Sequence, residues 1–296
     1  MTALIRAGAM MSATTAPDER LPHVVIGGLG GSGTRVVAAL VQSAGIRIGC
    51  DLNGALDNLW VTLLFKRPTL LQEPADSTAE CFEILSRAMR GGIPLTAAQE
   101  AQVLALAQDD RPQHPATWLQ ERAHNLIAAC RTQGHAGPWG WKEPNSHMLL
   151  PLLSELPGVR YIHVVRDGLY MAQSQNRNQL WYWGEALTGT PMELSARYAL
   201  HYWRMAQVRA EAFAERMGPR FLMLDYDRLL QAPADALEQL NRFLGIGVAV
   251  DPTIVATARR SPAMDHLEPD DLDPDDVAYA LASRGGSGAQ VGSGSA

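Results

Sequence analysis

The feature that most constrains this chain is a glycine-dense loop set between a strand and a helix. His23-Val24-Val25-Ile26 is a short, β-branched apolar run that predicts a buried strand. It passes into Gly27-Gly28-Leu29-Gly30-Gly31-Ser32-Gly33-Thr34, and Arg35 to Gln42 then reads as a helix stopped at Gly45. Glycines permit positive φ and let backbone N–H groups approach an anion closely. The helix N-terminus behind them adds partial positive charge. Strand, glycine loop and helix in this order predict an α/β fold that binds a phosphate- or sulfate-like group.

Further elements extend the pattern. Arg160 to Val165 and Phe221 to Leu224 read as strands. The first is followed by a turn at Asp167-Gly168 and a helix from about Leu169, the second by Asp225-Tyr226 and a helix that runs from about Pro233 to Leu244 and ends at Gly245. Strands alternating with helices imply a central parallel sheet flanked by helices. Residues 56–132 read as a helical elaboration over the sheet, punctuated by Pro94, Pro112 and Pro115. Residues 21–283 are assigned to one domain, between a loose arm (1–20, with Met11 as an alternative start) and a Gly/Ser tail (284–296).

Composition narrows the function classes. The net charge of −6 argues against a nucleic-acid binder that relies on bulk basicity, so an anion site must be built locally. No apolar run approaches the roughly 20 residues that span a bilayer. Three scattered cysteines without CxxC or Cys/His ligand spacing fit a reducing, cytoplasmic setting and no bound metal. Lysine occurs only as Lys66 and Lys142, which singles out both.

Gly28-x-Gly30-x-x-Gly33 also fits a dinucleotide fingerprint, with Asp51 placed for a ribose after a possible strand at Ile46 to Gly49. An NAD- or FAD-dependent oxidoreductase is therefore one alternative. The P-loop interval is present too, yet Thr34-Arg35 stand where Lys and then Ser or Thr are needed, which disfavours a nucleoside-triphosphate kinase.

Gly31-Ser32-Gly33-Thr34 after a strand, Lys142-Glu143-Pro144-Asn145, and Val164-Val165-Arg166-Asp167 with Ser174 eight residues beyond Arg166 together resemble sulfotransferases that use 3′-phosphoadenylyl sulfate (PAPS). Phe221 to Leu230 resembles their late strand-to-helix segment. The resemblance implies a three-layer, P-loop-like α/β fold and transfer of a sulfuryl group to a hydroxyl or amine of a small-molecule, natural-product or carbohydrate acceptor. It implies that Gly30, Gly31, Ser32, Gly33, Thr34 and Arg35 cradle the 5′-phosphosulfate and that Arg166 and Ser174 hold the 3′-phosphate. Arg259-Arg260 and Arg284-Gly285 are alternative third donor contacts.

The family's usual cation before Ser-Gly-Thr is replaced by Gly31, so Lys142 or Arg35 must supply that charge. A catalytically silent nucleotide-binding module is a further alternative on that ground. Lys142, in a stretch read as apolar and turn-like, is the candidate for steadying the leaving oxygen. Glu143, then Asp57, then His147 are the candidate general bases, and Trp181 and Trp183 the candidate acceptor contacts.

Overall fold

A computed structural model describes residues 23–258 and 271–284, apart from Pro112. The alternative start at Met11 and the arginines Arg259 and Arg260 lie outside the described residues. The strands are β1 (His23–Gly28), β2 (Trp139–Lys142), β3 (Val159–Val165) and β4 (Phe221–Asp225). They form one sheet in the order β2-β1-β3-β4, with every neighbouring pair parallel. Parallel neighbours need crossover connections, and the helices that make them cover both faces.

The crossovers begin with α1 (Thr34–Ser43), α2 (Leu59–Phe65), α3 (Ala75–Arg90), α4 (Ala97–Leu106) and α5 (Ala116–Arg131). Next come α6 (Leu150–Glu155), α7 (Gly168–Gln173), α8 (Asn178–Thr188) and α9 (Ala196–Met217). The last described helices are α10 (Tyr226–Gln231), α11 (Pro233–Leu244), α12 (Thr253–Ala256) and α13 (Pro274–Ser283). The period of two in a strand divides the core between the faces. Val24, Ile26, Ile162 and Leu224 pack with Val37 and Leu40 of α1 and with Leu240 of α11. Val25, Trp141 and Tyr161 pack on the other face, with Trp60 of α2, Ile84 of α3, Leu126 of α5 and Trp203 of α9. The result is the three-layer arrangement with a central parallel sheet that the sequence predicts.

Two local readings are corrected. Residues 139–142 are a buried strand rather than a turn: β2 pairs with β1 in the register Val25↔Trp141 and Ile26↔Lys142. Neither Trp139 nor Trp141 is β-branched, and both are held by burial against the helical layer. The stretch Ile46 to Gly49 is not a strand; Arg47 makes a single bridge to Trp139 at the sheet's edge. Among the described residues no helix is long and apolar enough to cross a membrane.

Candidate active site

The site gathers at the C-terminal ends of the strands, where crossovers leave a crevice in open parallel sheets. The loop after β1 turns through Gly31 and Gly33, at φ +100° and +95°. Gly33 is required twice over, because a Cβ there would lie 2.1 Å from the Tyr226 ring. Ser32 and Thr34 are buried and Arg35 is exposed. Ser32 Oγ has no hydrogen-bond partner among the described residues.

Arg166 follows directly on β3 and is 9% exposed. Its Nη1 donates to the Gly31 carbonyl at 2.7 Å. The guanidinium lies 3.8 Å from the Tyr170 ring centre and 5.0 Å from that of Tyr226, with Asp227 Oδ1 4.0 Å from its Nε, so two rings and a carboxylate hold the fork. Asp167 caps α7 by accepting from the Tyr170 N–H at 2.8 Å, and its other oxygen pairs with Arg284. Ser174 closes α7 in an extended conformation, and a Cβ on Gly31 would stand 3.8 Å from its hydroxyl. Gly31, Arg166 and Ser174 therefore meet, and Arg284 stands one residue away from Arg166.

Alternation along β2 sends Lys142 and Glu143 in different directions. Lys142 shares the α1 face with its register partner Ile26. Its buried ammonium pairs with Asp57 and donates to the Ala55 carbonyl at 3.1 Å. The second oxygen of Asp57 accepts from Asn53 at 2.8 Å, so both oxygens of that candidate base are engaged. His147 is buried, with Nδ1 3.0 Å from the Pro144 carbonyl and Nε2 3.0 Å from the Tyr202 hydroxyl, which leaves neither ring nitrogen for a substrate.

Glu143 has the pocket. It lines a narrow recess of about 10 Å³, room for a single water, along with Lys66, Asn145, Trp183, Phe65 and Leu149. Burial pushes its carboxyl up to about 7, aided by Asp57 and opposed by Lys66, the Asn145 amide and Lys142. The chain's two lysines thus both act on this one carboxylate. Asn145 Nδ2 donates to Glu143 Oε1, and its Oδ1 accepts from both Trp183 Nε1 and Gln179 Nε2 at 3.0 Å. Gln179 Oε1 in turn accepts from the Gly30 N–H at 2.6 Å.

Trp183 is buried in the pocket wall, whereas Trp181 points outward at 48% exposure. Asp51, the possible ribose ligand, pairs with Arg122 at 3.1 Å and accepts from Asn125 at 3.3 Å. Sequence reasoning did not single out Gln179, Tyr170 or Asp227, which stands 4.0 Å from Arg166 Nε and accepts from the Asp167 N–H at 3.0 Å. The spacing Gln179–Trp183, which shares one helix face, is the signal that could have found the first. Among the described residues no group of three or more His, Cys, Asp or Glu side chains forms a metal cluster.

The sulfotransferase family model matches residues 22–250, more than three-quarters of the chain. The chain belongs to the sulfotransferase family. Solved sulfotransferases of similar shape share little sequence with it. STF9 from Mycobacterium avium is 14% identical with a TM-score of 0.45, over 89% of this chain and 76% of that one. STF1 from Mycobacterium tuberculosis is 16% identical with a TM-score of 0.45, over 89% and 77%. The sulfotransferase domain of the Synechococcus PCC 7002 olefin synthase is 16% identical with a TM-score of 0.40, over 90% and 97%. No curated protein matches the chain.

Proposed function

We propose that this sulfotransferase moves the sulfuryl group of PAPS to a hydroxyl or amine of a small-molecule acceptor, releasing adenosine 3′,5′-bisphosphate. The observation that carries the reading is the meeting of Gly31, Arg166 and Ser174 from separate segments beside one loop. The chemistry of the loop fits the donor: Ser32 Oγ, a buried hydroxyl without a partner among the described residues, sits among backbone N–H groups at a helix start. The amides of residues 30–35 would hold the 5′-phosphosulfate, and Arg166 and Ser174 the 3′-phosphate. Arg284 is the better supported third contact of the two candidates, since Asp167 already holds it beside Arg166.

The reaction is an in-line displacement. The acceptor oxygen or nitrogen forms a bond to sulfur while the bond from sulfur to the bridging oxygen breaks, and the departing bisphosphate keeps the electron pair. By analogy with phosphoryl transfer, positioning and electrostatics supply most of the catalysis. Lys142 steadies the charge on the leaving oxygen; Asp57 and Ala55 take two of its three N–H groups and hold the ammonium in place. Glu143 takes the acceptor's proton, for which a carboxyl at about 7 is well matched to neutral pH. The acceptor would approach through the recess beside it, with Trp183 in its wall, which must widen from about 10 Å³ to admit it.

The test is mass-detected sulfate transfer from PAPS to a panel of hydroxylated and amino acceptors, together with bisphosphate binding by thermal shift. Wild-type protein is expected to be stabilised by roughly 2.7 kcal/mol at a hundredfold excess of bisphosphate over Kd, and Arg166→Ala to lose that shift. Absence of stabilisation defeats the donor reading. Stabilisation by the bisphosphate without transfer to any acceptor favours the silent module, and stabilisation by NAD(H) or FAD instead favours the oxidoreductase.

A further inference from the structure

Between the glycine loop and Glu143 runs a chain of hydrogen bonds whose direction is fixed at both ends. The Gly30 N–H is only a donor, so the atom of Gln179 that meets it is the carbonyl Oε1, and Nε2 must face the other way. The Trp183 indole N–H is also only a donor, so Asn145 presents Oδ1 to it and turns Nδ2 toward Glu143. Gln179 Nε2 then donates to Asn145 Oδ1 at 3.0 Å, with the Gly28 carbonyl at 3.3 Å as a second acceptor. From Gly30 N–H through two side-chain amides to the carboxylate, every dipole points the same way. An aligned chain of this kind polarises along its length and favours negative charge at its far end.

We infer that Gln179 is a positioning residue through which occupation of the glycine loop controls the basicity of Glu143. The inference rests on the donor and base assignments proposed above. When the 5′-phosphate takes the Gly30 N–H, Gln179 loses the donor that heads the chain. The bond from Asn145 to Glu143 weakens, and the carboxylate holds a proton more firmly. The base thus becomes stronger once a donor is seated, which links the two halves of the reaction without any large movement. The other groups acting on Glu143 are Lys66, Lys142 and Asp57, and it acts in turn on the Tyr161 and Tyr202 phenols; neither lysine nor Asp57 belongs to the chain.

The probe is adenosine 3′,5′-bisphosphate, titrated calorimetrically at pH 7 in buffers of different ionisation enthalpy, which counts protons taken up on binding. A group half protonated at pH 7 that becomes a tenfold weaker acid takes up roughly 0.4 proton. Wild-type protein is expected to take up about that much more than Gln179→Met, in which the chain is already broken. Proton exchange by the bisphosphate itself cancels in the difference. Asn145→Ala breaks the next link and is expected to match Gln179→Met, so the test stands if either variant fails to fold. Equal uptake by wild type and a folded variant overturns the inference. So does a Glu143→Gln protein that takes up as many protons as wild type, which leaves the donor site intact but the coupling wrong. Wild-type protein that does not bind the bisphosphate brings down the donor reading itself, and the inference with it.

Discussion

The Arg166 guanidinium stacks 3.8 Å from the centre of the Tyr170 ring while its Nη1 bonds the Gly31 carbonyl at 2.7 Å. A planar fork stacked on one aromatic ring, near a second, and anchored by the Gly31 carbonyl and by Asp227 at 4.0 Å has a fixed orientation that a lysine cannot reproduce. Arg166→Ala is expected to weaken adenosine 3′,5′-bisphosphate binding by about 2–3 kcal/mol, or roughly 30- to 150-fold. Arg166→Lys is expected to recover only a minor part of it. Titration calorimetry on the three proteins checks this, and near-native affinity in Arg166→Lys contradicts the stacked-fork account.

Gly33 couples the loop to the segment after β4. Alanine there must adopt φ +95° and displace the Tyr226 ring, whose atoms stand 2.1–2.6 Å from the added Cβ. The strained backbone alone costs about 1–3 kcal/mol. Since Tyr226 also flanks Arg166, Gly33→Ala is expected to lower both the melting temperature and the bisphosphate affinity. Loss of affinity at unchanged stability, or the reverse, argues against that coupling.

Lys142 and Asp57 meet 85 residues apart in sequence, across the helical elaboration's entry. Lys142→Met keeps the side chain's length and removes the charge. It is expected to reduce kcat for sulfate transfer by about 10²–10³-fold, the range seen when one group that stabilises transition-state charge is removed. The bisphosphate Kd should change far less, because the charge on the bridging oxygen develops during transfer. A large change in Kd with kcat preserved assigns Lys142 to donor binding instead.

The glycine loop, three of the four strands and helix α11 were legible in the sequence because each carries a local signal: β-branched runs, turn glycines and a C-terminal Gly245. Strand β2 was not, since Trp-Gly-Trp-Lys has no β-branched residue and owes its conformation to the edge of β1. In the site, Arg166 and Ser174 were singled out by the family resemblance, and the fold brings both beside Gly31. The aromatic bracket of Tyr170 and Tyr226 and the Gln179–Asn145–Glu143 chain were not legible, because they join separate segments and exist only after packing. The order of the candidate bases also depends on burial. Glu143 faces a pocket, whereas Asp57 and His147 have their polar atoms engaged.

Glu143 has a signature in stability as well as in rate. Its carboxyl is raised from 4.5 to about 7 by burial, so the folded protein keeps a proton that the unfolded chain has already released between those values. Stability therefore falls as pH rises from about 4.5 to 7 and is level above, with a full cost on the order of 3 kcal/mol. Glu143→Gln removes that cost. The variant is expected to melt above wild type at pH 8 and to lose the advantage near pH 4.5, while transfer activity collapses. In wild type, kcat/KM should rise with pH through about 7. A melting difference independent of pH shows that Glu143 does not titrate in that window.

Four histidines, His147 and His163 buried and His23 and His114 half-buried, act in the opposite direction. Burial lowers His23, His114 and His147 to about 4 and His163 to about 3, against 6.5 in the unfolded chain. The unfolded state gains protons below pH 6.5 that the folded state refuses, so this stability is complete above 6.5 and is lost as pH falls toward 4. The buried His147 and His163 each contribute a slope of up to about 1.4 kcal/mol per pH unit, and the half-buried His23 and His114 contribute less because solvent screens them. Together these slopes outweigh the single opposing one from Glu143, and the net expectation is acid destabilisation between pH 6.5 and 4. His163→Gln replaces a ring that lies 0% exposed beside Tyr161 and Phe221 with a side chain that does not titrate. Its stability at pH 7.5 is expected to be lower through lost packing, yet its decline with acid should be shallower by one histidine's share. Denaturant melts at half-unit pH steps measure this, and parallel curves for the two proteins contradict a neutral, buried His163.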